Sequence, residues 1–184
     1  MKAPEEITTS RLLLRKPVAA DAEAIFRRYA SDPRVTRYLS WPTHRSLADT
    51  RAFLTWSDDE WERSPAGPYL VFARDTPGAT LLGGTGLAFK SPTRAVTGYV
   101  FAQDVWGRGI ATEALAAIVD VARTLGVQRL EAICHVDHAP SAHVLEKCGF
   151  RREDSRRTHF TFPNLAPQKP SAVYSYALAL QGRG

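Results

Sequence analysis

Apolar positions along the chain alternate between strand-like runs and helix-like spacing. After a polar start, Arg11-Leu12-Leu13-Leu14-Arg15 reads as a short apolar strand. Pro17 interrupts it, and Asp21 stands as N-cap for a helix over 22–29. Leu47, Phe53, Leu54 and Trp56 place a second helix from about Ser46, whose side chain can cap it. From Tyr69 the pattern turns to strands at 69–73, 81–89 (with three glycines) and 96–102. Turns at Thr76-Pro77-Gly78 and Ser91-Pro92-Thr93 separate them, so the three form an antiparallel meander. Leu115, Ile118, Val119, Ala122 and Leu125 then recur at helical spacing, and Gly126 terminates that helix. A buried strand over 130–136, a short helix over 141–148 stopped by Gly149, and strands from Phe150 onward and over 173–180 complete the order β-α-α-β-β-β-α-β-α-β-β.

Composition narrows the class. A chain of 184 residues with 44% hydrophobic and 23% charged residues matches a globular protein, and 1–184 reads as one domain without repeats. The stretches 63–68 and 164–170 are short enough to be surface loops. No apolar run approaches the roughly 18 residues of a membrane span, and the N-terminus lacks a signal-peptide layout, which points to the cytoplasm. Cys134 and Cys148 have no CxxC partner and read as free thiols, and no metal site is expected. Lys and Arg number 24 against 19 Asp and Glu, a net charge of +5 that favours an anionic partner. A phosphate-bearing cofactor and a nucleic acid both fit that charge. No helix-turn-helix, RNA-binding or zinc motif supports the second.

The segment Asp104-Val105-Trp106-Gly107-Arg108-Gly109-Ile110-Ala111-Thr112-Glu113 carries the most chemistry. It places a glycine-rich turn between a strand and the start of an amphipathic helix. The first N–H groups of that helix have no partner within it and point outward with the positive end of the dipole behind them, which makes an anion cradle. Gly107 and Gly109 permit close backbone approach, and Arg108 adds charge at its mouth. The bland alternative is a tight strand-to-helix turn. The segment lacks the Lys-Ser/Thr of a P-loop and has Thr112 at the third glycine of a dinucleotide fingerprint, and its preceding strand lies in a meander instead of a βαβ unit.

With Trp106-Gly107-Arg108-Gly109-Ile110-Ala111 filling the frame Q/R-x-x-G-x-G/A, the chain resembles the GNAT superfamily of acyl-CoA-dependent N-acyltransferases. Trp106 departs from the usual Gln/Arg, and W-G-x-G-x-A-T-E-A is similar to the RimJ/RimL branch of ribosomal-protein N-terminal acetyltransferases. Thr9-Ser10-Arg11-Leu12-Leu13-Leu14-Arg15 matches that branch's T-x-R-L-x-L-R opening. His138-Ala139-Pro140-Ser141 followed by Glu146-Lys147-Cys148-Gly149-Phe150 matches its N-x-x-S and E-K-x-G-F. The resemblance covers nearly the whole chain. It implies an α/β (α+β) GNAT-type fold: a mixed, mostly antiparallel central sheet, splayed beside the strand at 96–102, with helices on both faces.

The resemblance implies acetyl-CoA as cofactor. Its diphosphate is expected on Trp106, Gly107, Arg108, Gly109, Ile110, Ala111 and Thr112, and its pantetheine along Tyr99, Val100 and Phe101. A primary amine, on a protein N-terminus or a small molecule, attacks the thioester directly in a ternary complex. The Val100 N–H is the expected oxyanion donor. A homodimer is a common assembly among relatives.

Three positions depart from family habit. Thr97 stands where a Glu base often precedes Gly-Tyr, Leu145 stands where a Tyr acid often lies, and His138 replaces the Asn. His138 is therefore expected to bond pantetheine or to titrate near neutral pH as a proton relay, against a solvated loop role. Ser141 is expected either to meet the departing thiolate or to cap the short helix. A non-catalytic acyl-CoA-binding module is the alternative that the missing Glu and Tyr suggest. His135 and Cys134 read as core residues, while His143 and His159 have no evident partner. Trp41, Trp56 and Trp61 either line the acceptor cleft, together with 63–68 and 162–170, or serve packing. Arg151-Arg152-Glu153-Asp154-Ser155-Arg156-Arg157 reads as a solvated turn with paired charges, or as a contact for the cofactor's 3′-phosphate.

Overall fold

A computed structural model of the chain describes residues 1–74, 80–165 and 168–180, with side chains throughout except at 154–158. The strands are β1 (Glu6–Thr8), β2 (Leu12–Arg15), β3 (Pro68–Ala73), β4 (Leu81–Ser91), β5 (Arg94–Phe101), β6 (Arg129–His135), β7 (Arg151–Thr161) and β8 (Pro170–Ala179). The helices are α1 (Ala22–Ile25), α2 (Pro33–Thr36), α3 (Leu47–Arg63), α4 (Ile110–Thr124) and α5 (Ala139–Lys147). Among the described residues the strands form one sheet in the order β1-β2-β3-β4-β5-β6-β8-β7, parallel only between β5 and β6.

Alternation along the strands feeds two cores. On one face Leu12, Leu14, Tyr69, Val71, Phe101, Leu130 and Tyr176 pack against Leu115 and Ile118 of α4 and Leu145 of α5. On the other, Leu70, Phe72 and Leu81 pack against Ile25 and Tyr29 of the α1 segment and Leu54 of α3. Each such fully buried side chain contributes roughly 1.5–3 kcal/mol relative to exposure. The expected sheet with helices on both faces is thus the observed one. Both α4 and α5 close on a glycine. The N–H of Val127 reaches back to Ala122 O and that of Phe150 to Leu145 O.

Several local expectations change. β1 was hidden in a polar start, because it is an edge strand paired only with β2. Asp21 is the N-cap residue of α1, but its side chain makes no capping bond to the helix. It sits at the end of a 3-10 turn, where its carboxylate accepts from the Val18 N–H at 2.8 Å and pairs with both Arg15 Nη atoms at 2.7 and 2.9 Å. The helix expected over 22–29 is α for its first turn and then widens into a π turn over Phe26–Ala30. Ser46 does begin α3, with Asp49 accepting from its N–H at 2.9 Å. The charged run from Arg151 is no turn but part of β7, because β8 offers it an open edge. Glu153 pairs there with Arg129, and Arg152 lies over the Tyr174 ring. The turn at Thr76-Pro77-Gly78 lies outside the described residues.

The β4–β5 pair has little room. A Cβ on Gly83 would overlap the Val100 carbonyl oxygen and come within 2.8 Å of Phe101 Cα, whereas one on Gly98 would meet nothing within 4 Å. Gly83→Ala is expected to cost about 1–3 kcal/mol in chemical denaturation, and Gly98→Ala to stay within about 0.5 kcal/mol of the parent.

Candidate active site

β5 and β6 are in register for only three positions, Arg94 with Arg129, Ala95 with Leu130 and Val96 with Glu131. Beyond Val96 the two strands part. β6 stays bonded to β8 as far as His135, and β5 stays bonded to β4 as far as Phe101. The gap therefore opens along the segment of β5 that contains Tyr99, Val100 and Phe101.

Strand alternation settles which backbone groups face that gap. The N–H of Ala102 donates to Leu82 O of the β4 side at 2.9 Å, and Arg129 N–H donates to Thr93 O from the β6 side at 3.1 Å. Even-numbered residues of β5 therefore bond to β4 and odd-numbered ones face β6. This corrects one expectation: the Val100 N–H is directed at Gly84 in the β4–β5 ladder and is not open to the gap. The N–H groups of Tyr99 and Phe101 are the ones that face it. The Phe101 carbonyl is already taken, accepting from the Trp106 indole at 2.8 Å. Trp106 thus ties the glycine turn to the end of β5, a role the sequence did not suggest.

The turn itself has the expected conformation. Gly107 and Gly109 have φ of 72° and 74°, a left-handed backbone that side chains disfavour, and Gly109 is the N-cap of α4. The first N–H bonded within the helix is that of Glu113, to Gly109 O at 3.1 Å. Those of Ile110, Ala111 and Thr112 precede it and have no partner within the helix, at the end where its dipole is positive. Since α4 connects the parallel strands β5 and β6, the turn does open a βαβ crossover. β5 belongs to the meander through β4 and to the crossover through β6.

Glu113 holds this turn in place. Its carboxylate accepts from Thr9 Oγ1 at 2.5 Å, Ser10 Oγ at 3.0 Å, Arg11 N–H at 3.0 Å and Arg11 Nε at 2.6 Å. Arg11 Nη1 also donates to Arg108 O at 3.1 Å. Partial burial pulls the Glu113 carboxyl upward, and the bonds from Thr9, Arg11 and Ser10 override it, holding the group at about 2. The two segments that carried the resemblance, around Thr9 and around Gly109, therefore meet at one carboxylate.

On the α5 side of the gap, Tyr99 Oη lies 2.9 Å from both Ser141 Oγ and Ser141 O. Burial raises the Tyr99 phenol, against the Ser141 bond, so it stays protonated. Ser141 is not the helix cap. α5 begins two residues earlier, with His138 at the N-cap and Pro140 in the first turn. His138 packs against the Tyr38 ring at 4.9 Å, and burial, followed by the neighbouring His135, lowers its pKa. Both effects favour the neutral imidazole of His138. Cys134 is buried, as expected, and Leu145 is core.

A cleft of about 1210 Å³ opens on the opposite face, over β4 and β5. Its walls include Trp41 and Trp56, while Trp61 is buried, donating to Pro68 O and packing edge-on to Tyr69. Of the loops expected there, Pro68, Pro163, Asn164 and Gln168 contribute, and 166–167 lie outside the described residues. His44, which the sequence reading passed over, also lines the cleft with Nδ1 2.9 Å from Thr50 Oγ1. A histidine in an irregular loop gives no periodic signal. Among the described residues, Arg11, Arg15, Arg28, Arg34, Arg94 and Arg129 are paired with carboxylates. No helix there is long and apolar enough to cross a membrane, and no metal-binding group of His, Cys, Asp or Glu is found.

Stability should report the Glu113 knot. A carboxyl held at about 2 against an ordinary 4.5 stabilises the fold above pH 4.5, and that contribution disappears as pH falls toward about 2. Glu113→Gln is expected to cost about 1–3 kcal/mol at pH 7. Its unfolding free energy should converge on the parent's below pH 4.5, as measured by urea denaturation across pH. A constant difference would remove Glu113 from this role.

Residues 11–151 match the family described as Acetyltransferase (GNAT) domain. YoaA of Bacillus subtilis, an uncharacterized N-acetyltransferase, is 30% identical over 173 residues, 92% of this chain and 94% of that protein. The crystal structure of a GNAT-family acetyltransferase from Bacillus anthracis is 26% identical, covers 95% of this chain and 98% of its own, and superposes with a TM-score of 0.79. RimL, the ribosomal L7/L12 α-N-protein acetyltransferase solved with coenzyme A, shares the fold at 22% identity, with a TM-score of 0.81 over 97% of this chain and 100% of its own. With the family match over 11–151 and 30% identity to YoaA along 92% of its length, the chain belongs to the GNAT family and is an acyltransferase.

Proposed function

We propose that the protein moves an acetyl group from acetyl-CoA to a primary amine in a ternary complex, as a RimJ/RimL-like member of its family acting in the cytoplasm. The acceptor is a protein N-terminus or a small amine, and the whole of 1–184 serves as one catalytic domain. The observation that carries this reading is the coincidence, at one end of β5, of unpaired backbone donors and a left-handed glycine turn opening α4. The first offers an edge to an extended amide chain and the second a cradle for a diphosphate. RimL, with the same fold, is solved with coenzyme A.

In this reading Gly107, Arg108, Gly109, Ile110, Ala111 and Thr112 hold the diphosphate, with Trp106 fixing the turn against β5. Tyr99 and Phe101 present the N–H groups that face the gap, and they replace Val100 as donors to developing negative charge. When bound, acetyl-CoA supplies a thioester: the amine nitrogen bonds to its carbonyl carbon, the C–S bond breaks, one proton leaves nitrogen and one reaches sulfur. Tyr99 and Ser141 form the hydroxyl pair closest to supplying that last proton, so Tyr99 stands in for the phenol that Leu145 lacks. His138 contributes by shaping the start of α5. The apolar cleft favours the neutral form of the incoming amine, since burial disfavours an ammonium, and this eases the missing Glu at Thr97.

The reading is tested by release of free thiol from acetyl-CoA in the presence of amines and peptide N-termini. Ser141→Ala and Tyr99→Phe are each expected to lower kcat by about 10- to 100-fold, with little change in the KM for acetyl-CoA. Unchanged turnover in both variants would remove the hydroxyl pair from the mechanism.

A further inference from the structure

The cleft over β4 and β5 is built for a flat apolar body. Gly84, Gly86 and Gly98 contribute to its floor, which is open above Gly98 and closed in by Tyr69 O and Tyr29 Oη at Gly84 and by the Gly67–Pro68 backbone at Gly86. Its walls carry Trp41, Phe53 and Trp56, and Trp56 remains 47% exposed, one of the few large apolar side chains left in solvent. Trp56 and Phe53 lie one helical turn apart on α3 with ring centroids at 6.0 Å, while Trp41 faces in from the loop after α2 with its ring 5.1 Å from that of His44. Exposed aromatic rings gathered around a concave surface are typical anchors for a ligand.

The charges of the cleft are equally selective. Asp49 is the sole carboxylate among its described lining residues, and it is occupied. It accepts from Arg45 N–H at 2.8 Å, Ser46 N–H at 2.9 Å and Ser46 Oγ at 3.2 Å, as the cap of α3. Burial lowers the pKa of His44, against the pull of Asp49, so the imidazole adds no positive charge. Arg45 also lines the cleft, so every ammonium group entering it lacks a free counter-ion, and an acceptor with one amine on an apolar ring buries less uncompensated charge than one with several.

We infer that the acceptor is a primary amine borne close to an aromatic ring, the ring lying in the open space over Gly98 between Trp41, Phe53 and Trp56. This rests on the acetyl-transfer reading for its chemistry but not for its binding. Two sources share the required group: a free arylalkylamine, and a peptide whose first residue is aromatic.

Calorimetry on the full chain saturated with coenzyme A separates the possibilities, using tryptamine, a peptide starting with Trp, a peptide starting with Ser, n-hexylamine and spermidine. One or both aromatic probes are expected to bind at least about tenfold more tightly than the other three. Tryptamine alone in that position assigns a small amine, and the Trp peptide alone assigns a protein N-terminus. Trp56→Ala, at a half-exposed helix position, is expected to fold as the parent does and to weaken the aromatic probes by at least about fivefold, leaving coenzyme A binding unchanged. Spermidine, n-hexylamine or the Ser peptide binding as tightly as the aromatic probes would overturn the inference, as would aromatic affinity unaffected by Trp56→Ala. Thiol release on the same panel reports separately. Aromatic binding without transfer upholds the inference and defeats the acetyl-transfer reading, and preferred transfer to spermidine or the Ser peptide does the reverse.

Discussion

Past Val96 the sheet has to break, because β6 is held by β8 along all of its residues from Arg129 to His135 while β5 is held by β4 to its end at Phe101. Two twisted strands bound to different partners have no common register to keep, and the three positions they do share lie next to the turn side of the molecule. Backbone donors that a complete sheet would pair are thereby left facing a gap, and unpaired N–H groups of this kind are strong binding groups. The functional features gather around this break. α4 starts beside it, Trp106 closes the end of β5, and Tyr99 reaches from β5 to Ser141 of α5.

The glycine turn would be a poor cradle if it were free to move. Its position is fixed from two directions, by the Trp106 indole on Phe101 O and by Arg11 spanning Glu113 and Arg108 O. Glu113 sits in the first turn of α4, where a carboxylate also complements the helix dipole. The ionic knot therefore fixes the glycine turn and the start of α4 through side chains that do not use the N–H groups of Ile110 to Thr112. Such charge-assisted bonds to backbone and side chain are stronger than the usual surface ion pair.

Much of this was legible in the residues. Strand alternation and helical spacing located the meander, α4, β6 and α5, since both faces of the sheet are covered and the buried positions follow the period. The glycine turn that opens α4 was legible because glycine takes the left-handed backbone of Gly107 and Gly109 without the cost other side chains meet. What escaped was long-range. That Glu113 binds Thr9 and Arg11, about a hundred positions away, has no local signature. The direction of the Val100 N–H depends on which neighbour β5 pairs with first, a fact of register that no single strand carries. Ser141 was open to a helix-cap reading because serine is common at helix starts, whereas α5 starts two residues earlier at Ala139 and takes Pro140 into its first turn. The charged stretch after Phe150 looked like a turn because its pattern lacks an apolar face, yet β8 provides the hydrogen-bonding edge that makes it a strand.

The central claim is that the parted strands and the glycine turn form one binding site for an acyl-CoA. Calorimetric titration with acetyl-CoA and coenzyme A, beside an adenine dinucleotide and at two salt concentrations, tests it most directly when the parent is compared with Gly109→Asp. The account predicts saturable binding of acetyl-CoA and coenzyme A in preference to the dinucleotide, weakened at least about tenfold by the added carboxylate and by the strain of a side chain at φ 74°. Absence of binding by the parent, or binding that Gly109→Asp leaves unchanged, would contradict it.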